Sequence, residues 1–245
     1  MEREFIRLSK LLSERGICSR READTYIQKG WVFVDGACIN VLGTKVSPEA
    51  KISLKKECEE FAQNKVTILM NKPLGYVSCL PEPGYEPAIK LITKENYFPS
   101  HKISHVEPSH LEKLAVAGRL DINSKGLLVF TQCGAVAKQL IGADSEVEKE
   151  YFVRVSDFLT KEDCKKLEFG LALDDKPLKR AYVKKLSETT FTIILREGKK
   201  RQIRRMCELL HLTALEIKRI RIGKIELGNL PIGCWRYLKS SESFI

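Results

Sequence analysis

Asp121 lies in the stretch Gly118-Arg119-Leu120-Asp121-Ile122-Asn123-Ser124-Lys125-Gly126, which is bounded by glycines and runs straight into the apolar Leu127-Leu128-Val129-Phe130. A carboxylate on a loop set against a rigid strand is a common place for a nucleophile or general base, although a lone loop aspartate also serves as a turn or helix cap. Two further stretches break structural patterns with polar residues. Tyr151 opens the strand pattern of Tyr151-Phe152-Val153-Arg154-Val155, where its ring suits either the core or the face of a nucleobase. The run Arg196-Glu197-Gly198-Lys199-Lys200-Arg201-Gln202-Ile203-Arg204-Arg205-Met206 follows a strand and opens a helix. Its first amides and its cationic side chains together favour an anion.

The elements that must hold these residues come from 245 residues, enough for one large domain or a small domain joined to a larger one. Hydrophobic residues are 43% and charged residues 30%, which argues against a largely disordered chain. No apolar run approaches the roughly 18 to 20 residues that span a bilayer, so no membrane partner is expected. Met1-Glu2-Arg3-Glu4-Phe5 carries acids and no apolar stretch, so no secretory signal is expected and the protein reads as cytoplasmic. The eight cysteines form no C-x-x-C pair and have no histidine at zinc-ligand spacing; they read as reduced thiols, with neither disulfides nor structural zinc.

The net charge of +10 favours an anionic partner, and its placement is uneven. Residues 196–224 alone hold 10 basic and 3 acidic side chains, in two arginine-rich clusters around a hydrophobic helix. Toward the N-terminus, Ile6, Leu8, Leu11, Leu12, Ile17 and Cys18 fit a helix ending near Gly16. Ser19 and Glu22 make a capping box for a second helix through Ala23, Tyr26 and Ile27, stopped by Gly30. Trp31-Val32-Phe33-Val34, the turn Asp35-Gly36 and Ala37-Cys38-Ile39-Asn40-Val41 form a hairpin, and Lys51-Ile52-Ser53-Leu54 closes a small sheet. Two short helices ahead of a hairpin sheet, with basic residues on the helices, make a compact RNA-binding shape.

This stretch, Ile6 to Leu54, resembles the S4 RNA-binding domain through Arg7-Leu8-Ser9-Lys10-Leu11-Leu12, Gly16-Ile17-Cys18-Ser19-Arg20-Arg21-Glu22-Ala23 and Gly30-Trp31-Val32-Phe33-Val34-Asp35-Gly36. The resemblance implies phosphate contacts from Arg7, Lys10, Arg20 and Arg21. Residues 55–65 are polar and read as a linker, so the expected division is a domain over 1–60 and a second over 61–245. Past the linker, strands at 66–70, 127–130, 151–155 and 191–195 mix with a helix from Gln202 to Leu210, without a regular βαβ repeat. That pattern predicts an α+β fold. Residues 80–110, rich in Pro, His and Glu, read as an excursion across the surface.

The second part resembles the RsuA/RluF-type pseudouridine synthases, which modify ribosomal RNA. The resemblance runs through Asn71-Lys72-Pro73, Gly118-Arg119-Leu120-Asp121 with Gly126-Leu127-Leu128, Glu150-Tyr151, and Gly198 to Arg204-Arg205-Met206. It ends at Arg219-Ile220-Arg221-Ile222-Gly223 and Leu230-Pro231-Ile232-Gly233-Cys234-Trp235-Arg236-Tyr237-Leu238. It implies a mixed, mostly antiparallel sheet behind the S4 domain and a reaction that breaks the N1–C1′ bond of a uridine, turns the uracil and rejoins it through C5. Such an isomerisation needs no redox change and no group donor, so no cofactor and no metal is expected. By the resemblance Asp121 is the catalytic carboxylate, Arg204 pairs with it and keeps it ionised, and Tyr151 stacks on the flipped base. Ile222 is expected beside that ring as an apolar wall, and Arg119 in the position the base vacates.

Lys72, Lys199, Arg201 and Arg205 are further expected phosphate contacts. The RluF branch, acting on 23S rRNA, fits the endings at 201–208 and 233–236 best, with the small-subunit 16S rRNA as the alternative. The expected partner is a structured rRNA stem-loop and the expected state a monomer. Two readings from other classes compete. One is a non-catalytic RNA-binding or ribosome-assembly protein that kept the fold, which would have lost Asp121, Tyr151 or Arg204. The other is a metal-dependent nuclease built on Asp121 with His101, His105, His110 and Glu107, which needs at least two convergent carboxylates where the Asp121 loop supplies one.

Overall fold

The computed structural model describes residues 5–79, 83–99 and 106–245. In the N-terminal part, strand β1 (Ile6–Arg7) runs directly into helix α1 (Leu8–Glu14), which buries Leu8, Leu11 and Leu12. The chain turns at Gly16, whose φ of +72° suits a residue without Cβ. Helix α2 (Arg20–Gln28) carries the full capping box: the Ser19 hydroxyl accepts from the Glu22 amide and the Glu22 carboxylate accepts from the Ser19 amide. Strands β2 (Val32–Val34) and β3 (Ala37–Ile39) form the hairpin, with Asp35 and Gly36 both at positive φ as a two-residue turn requires. Strand β4 (Lys45–Val46) pairs with β1, and β5 (Ile52–Leu54) pairs with β2. Ile6 therefore enters as a strand rather than as the first helical turn. The polar stretch after β5 is also more than a linker: it folds as α3 (Glu57–Gln63), and its Cys58 and Phe61 pack into the N-terminal core with Tyr26 and Trp31.

The second part is built on one nine-stranded sheet. Its strands are β6 (Thr67–Lys72), β9 (Ala115–Val116), β10 (Lys125–Thr131), β11 (Lys149–Val155), β14 (Tyr182–Lys185), β15 (Thr190–Leu195), β16 (Ala214–Ile222), β17 (Ile225–Glu226) and β18 (Trp235–Tyr237). The main order is β14-β15-β11-β16-β10-β6-β18, with β9 added on β10 and β17 on β16. All pairs are antiparallel except β10 with β16, which run parallel over Lys125–Gly126 and Lys218–Arg219. The sheet is mixed and mostly antiparallel and the class is α+β, as expected. Two short pairs stand outside it: β7 (Tyr76–Val77) with β8 (Glu86–Pro87), and β12 (Ala172–Leu173) with β13 (Lys176–Pro177). Helices α4 (Gly134–Ile141), α5 (Lys161–Glu168) and α6 (Gln202–Glu208) complete the chain.

Alternation along the central strands divides the core. Leu69, Leu127 and Val129 pack on one face with Leu140, Ile222 and Phe244. Ile68, Met70, Leu128 and Phe130 pack on the other with Leu120 and Trp235. Burial on both faces explains the unbroken apolar runs at 66–70 and 127–130. A third cluster, around Val153, Phe191, Ile193, Met206 and Cys207, holds α5 and α6 to the other end of the sheet.

The two parts meet at Gly134. Its amide donates to Glu22 at 3.3 Å, and a Cβ there would stand 2.2 Å from the Cβ of Ser19. Lys65 also pairs with Glu22, and Lys138 reaches the carbonyl of Ser13. A cleft of about 710 Å³ runs beside this joint, lined by Ser13, Ser19, Gly134, Lys138 and Ser145. It contains none of the residues singled out for chemistry. Among the described residues no helix is long and apolar enough to cross a membrane.

Candidate active site

The sheet assembles one row of side chains from four strands. Tyr151 of β11 stands opposite Arg219 of β16, Arg219 opposite Gly126 of β10, and Gly126 opposite Lys72 of β6. Residues opposite one another in a ladder project to the same face, so Tyr151, Arg219 and Lys72 point the same way. The middle position has to be glycine. Gly126 has a φ of +106°, and an added Cβ would lie 2.3 Å from the carbonyl oxygen of Arg219.

The Asp121 loop lies against this row and is held from several sides. Arg219, only 2% exposed, donates from Nε to Leu127 O at 2.7 Å and from Nη2 to Gly118 O at 2.9 Å. The buried hydroxyl of Ser78 donates to Leu120 O at 2.6 Å and accepts from Leu120 N at 2.8 Å. Gly75 N donates to Ile122 O at 3.1 Å, and Ser124 N closes the turn on Asp121 O at 3.0 Å. Arg204, from α6, donates to Asn123 O and, at 2.7 Å, to Ala214 O at the start of β16. Backbone groups on both sides of Asp121 are thereby fixed while its half-buried side chain stays accessible.

Arg204 and Asp121 are brought together, but not as a direct ion pair: no contact within 4.0 Å joins them, because both Arg204 terminal nitrogens are spent on carbonyls. The charge acts through space. Burial, and then the neighbouring Arg201, lower the affinity of the Arg204 guanidinium for its proton, and Asp121 opposes them. Arg204 Nε is buried without an acceptor. Tyr151 is half-buried and bridges two core clusters, sharing one of them with Leu120, the residue before Asp121. Arg119 is exposed at the loop's edge.

Two sequence expectations need correction. Ile222 does not flank Tyr151. Its ladder partner on β11 is Lys149, and its side chain, 1% exposed, packs in the cluster of Leu127 and Val129, which Tyr151 does not join. Lys72 is not a surface phosphate contact. It is fully buried, and its Nζ donates to Pro73 O and Tyr76 O, both at 2.8 Å.

The remaining basic residues lie on the surface or close to it. Arg7, Lys10, Arg20, Arg21 and Arg201 are exposed, with Lys10 3.5 Å from Glu14. Lys199 is half-buried and reaches Lys176 O at 3.3 Å. Arg205 is held in a two-pronged pair by Asp174, at 2.6 and 3.0 Å, on the turn between β12 and β13. His110 donates to or accepts from the Tyr237 hydroxyl at 3.0 Å, whereas His101 and His105 lie outside the described residues. Sequence reasoning missed Ser78 and Arg219 as holders of the loop. Ser78 carried no signal; Arg219 was visible as the first residue of the Arg219-Ile220-Arg221-Ile222-Gly223 stretch, but without a role.

The profile of the RNA pseudouridylate synthase family matches residues 66–209, more than half of the chain. The chain belongs to this family. Ahead of the synthase part, residues 6–52 match the S4 domain. As a pseudouridine synthase, an isomerase, the chain is 33% identical over 97% of its length to the dual-specificity RNA pseudouridine synthase RluF of Escherichia coli (strain K12), of which it covers 77%. It is 32% identical over 97% of its length to an uncharacterized RNA pseudouridine synthase of Aquifex aeolicus, covering 94% of that protein. A solved pseudouridylate synthase shares the fold, with a TM-score of 0.66 and 23% identity, over 96% of this chain and 97% of the other.

Proposed function

We propose that this synthase converts a specific uridine of 23S ribosomal RNA to pseudouridine, with Asp121 as the carboxylate that attacks the sugar or takes a proton from it. The observation that carries this reading is the Asp121 loop itself. Its carboxylate is accessible on a backbone gripped at Gly118, Leu120, Ile122 and Asn123, with Arg204 in electrostatic range and the Tyr151 ring on the same face of the sheet. Holding a reactive group at fixed geometry is what an isomerisation without a cofactor demands of a protein. Tyr151 offers a ring for the extruded base, and exposed Arg119 is placed to enter the space the base leaves. Arg7, Lys10, Arg20 and Arg21 are exposed on the S4 domain and suit contacts to the phosphates of a structured stem-loop. We take the enzyme to act as a monomer.

The E. coli relative is called dual-specificity, so the test covers more than one RNA. Unmodified 23S rRNA, 16S rRNA and total RNA are incubated with wild type or Asp121→Asn, and pseudouridine is mapped by carbodiimide treatment and reverse transcription. A new stop in 23S rRNA with wild type, lost with the variant at unchanged RNA affinity, is the expected result. A stop in 16S rRNA moves the target to the small subunit. Wild-type turnover by Asp121→Asn rejects the assignment of the carboxylate, and binding without any stop favours the assembly-protein reading.

A further inference from the structure

Across β14, β15, β11 and β16 the sheet is closed on one face and open on the other. Burial alternates residue by residue. Val183, Phe191, Ile193, Val153 and Ile217 are buried in the cluster that holds α5 and α6. Between them Tyr182, Lys184, Thr192, Ile194, Phe152 and Lys218 are half-buried or exposed. A solvated face is ordinary for an antiparallel sheet, but it is then built from polar residues. Here Phe152 and Ile194 stand in the middle of the open face and join no hydrophobic cluster of the described residues, and Tyr182 is 60% exposed. The ladders set Lys184 opposite Thr192, Thr192 opposite Phe152, Phe152 opposite Lys218, and Lys218 opposite Lys125. These residues form one row, four strand spacings or about 19 Å long. It starts at Lys125, where the Asp121 loop enters β10. The acids beside the row are committed elsewhere: Glu216 to Lys125 at 2.8 Å and Arg154 at 3.6 Å, and Glu150 to Arg221 at 2.8 Å. Lys184 and Lys218 have no ion-pair partner among the described residues.

We propose that this open face is a landing surface for a single-stranded stretch of the substrate RNA, with bases against Phe152 and Tyr182 and phosphates at Lys184 and Lys218. Unpaired bases stack on aromatic rings presented by a sheet, and cations beside the rings hold the backbone. The face supplies both, and its lysines have no internal acid to neutralise them. A duplex keeps its bases stacked on one another and would leave the rings unused. A protein partner fits less well, because the core of a protein interface is depleted of charged residues, whereas this face sets lysines on both sides of its central ring. Tyr151 and Phe152 are consecutive in β11 and point to opposite faces, so RNA touching both passes the end of the sheet at Lys125. This rests on an RNA substrate, and neither on the 23S target nor on the role given to Asp121.

The experiment measures the affinity of the full chain for a labelled oligouridylate and for a blunt RNA hairpin over a salt series. Wild type is compared with Tyr182→Ala, Phe152→Leu, Lys184→Ala, Lys218→Ala and Lys165→Ala, the last on exposed α5 surface across the sheet. Tyr182→Ala and Phe152→Leu should each weaken oligouridylate binding about fivefold or more and leave hairpin binding unchanged. Lys184→Ala and Lys218→Ala should each reduce the salt slope for the oligouridylate by about 0.7, and Lys165→Ala should not. Tyr182 and Lys184 are exposed, so their variants carry the test should Phe152→Leu not fold. Oligouridylate affinity unchanged in Tyr182→Ala and Lys184→Ala overturns the proposal, as does wild type that does not bind the oligouridylate. Equal losses for both RNAs overturn it in favour of unspecific charge attraction. A dimer in sedimentation that Tyr182→Ala abolishes, with RNA binding intact, overturns it in favour of a second copy of the chain. The readout is binding rather than turnover, so this proposal and the assignment of Asp121 can each fail alone.

Discussion

Gly126 shows how a residue without functional groups decides the geometry of the site. Its positive φ and the 2.3 Å approach of the Arg219 carbonyl to any Cβ there let β10 and β16 close over the Asp121 loop. Gly126→Ala is expected to cost more than about 2 kcal/mol, through strain and a backbone clash that no side-chain movement relieves. Gly198→Ala, where nothing lies within 4 Å of the added carbon and φ is not positive, should stay within about 0.5 kcal/mol. Urea midpoints of the two variants check the pair; equal losses would mean the close approach is not maintained in solution. The glycine was visible in the sequence as the end of the Asp121 stretch, but its reason was not. A strand glycine marks a close approach without naming the partner, and the partner is 93 residues further along the chain.

At the level of elements, α2 is the clearest case of local chemistry reused for tertiary structure. The Ser19–Glu22 capping box was legible from spacing alone, because capping satisfies amides within one turn. What spacing does not reveal is that the Glu22 carboxylate also accepts from Gly134 N of α4 and pairs with Lys65. Burial works against its ionisation, yet the hydrogen bonds from Lys65 and Ser19 outweigh it and hold the Glu22 pKa below its usual 4.5. With a depressed folded-state value, the stabilisation is complete above that pH and is lost as pH falls through the folded value. Ser19→Ala should cost about 1 kcal/mol as an ordinary cap. Glu22→Gln should cost more, and should flatten the acid side of the stability profile. Urea titrations at pH 7 and at about pH 4 test both; a smaller loss for Glu22→Gln than for Ser19→Ala would show that the joint contributes nothing. Strand β16 is the opposite case. Lys218, Arg219 and Arg221 hid a central strand from apolar periodicity, because the charge of Arg219 is buried on carbonyls and Arg221 is paired with Glu148 and Glu150.

For the molecule as a whole, buried titratable groups set the response to alkali. Burial raises the pKa of Cys18 and Cys207 from 9.0 to about 12, and it also raises Cys58, Cys164, Tyr26, Tyr97 and Tyr237. Across that range the folded protein keeps protons that the unfolded chain has released, so each group withdraws stability as pH rises. Lys72 and Lys149 act in the opposite sense: burial lowers both, and the folded state gives up protons that the unfolded chain still binds. Seven groups against two decide the sign. Stability should rise slightly or hold between about pH 8 and 9, where Lys72 titrates ahead of the thiols, and then fall steeply. Urea midpoints from neutral pH to about 11 measure this. Lys72→Met should remove the early rise, Cys207→Ala should soften the later fall, and a profile rising beyond about pH 10 would contradict the balance.

The sequence by itself determined the local structure, because helix periods, the capping box, the Asp35–Gly36 hairpin and the glycine-bounded Asp121 loop depend on contacts within a few residues. Its resemblances also carried the family. Only the tertiary structure decided which polar residues face water and which face each other. Lys72, Gly126, Tyr151 and Arg219 become one row through the registers of β6, β10, β11 and β16, and Ile222 packs in a different core cluster from Tyr151. A lysine reads the same in a sequence whether it meets a phosphate or is sealed beneath a loop. Burial is a property of the packed sheet, and it is burial that gives Lys72 its two carbonyl partners.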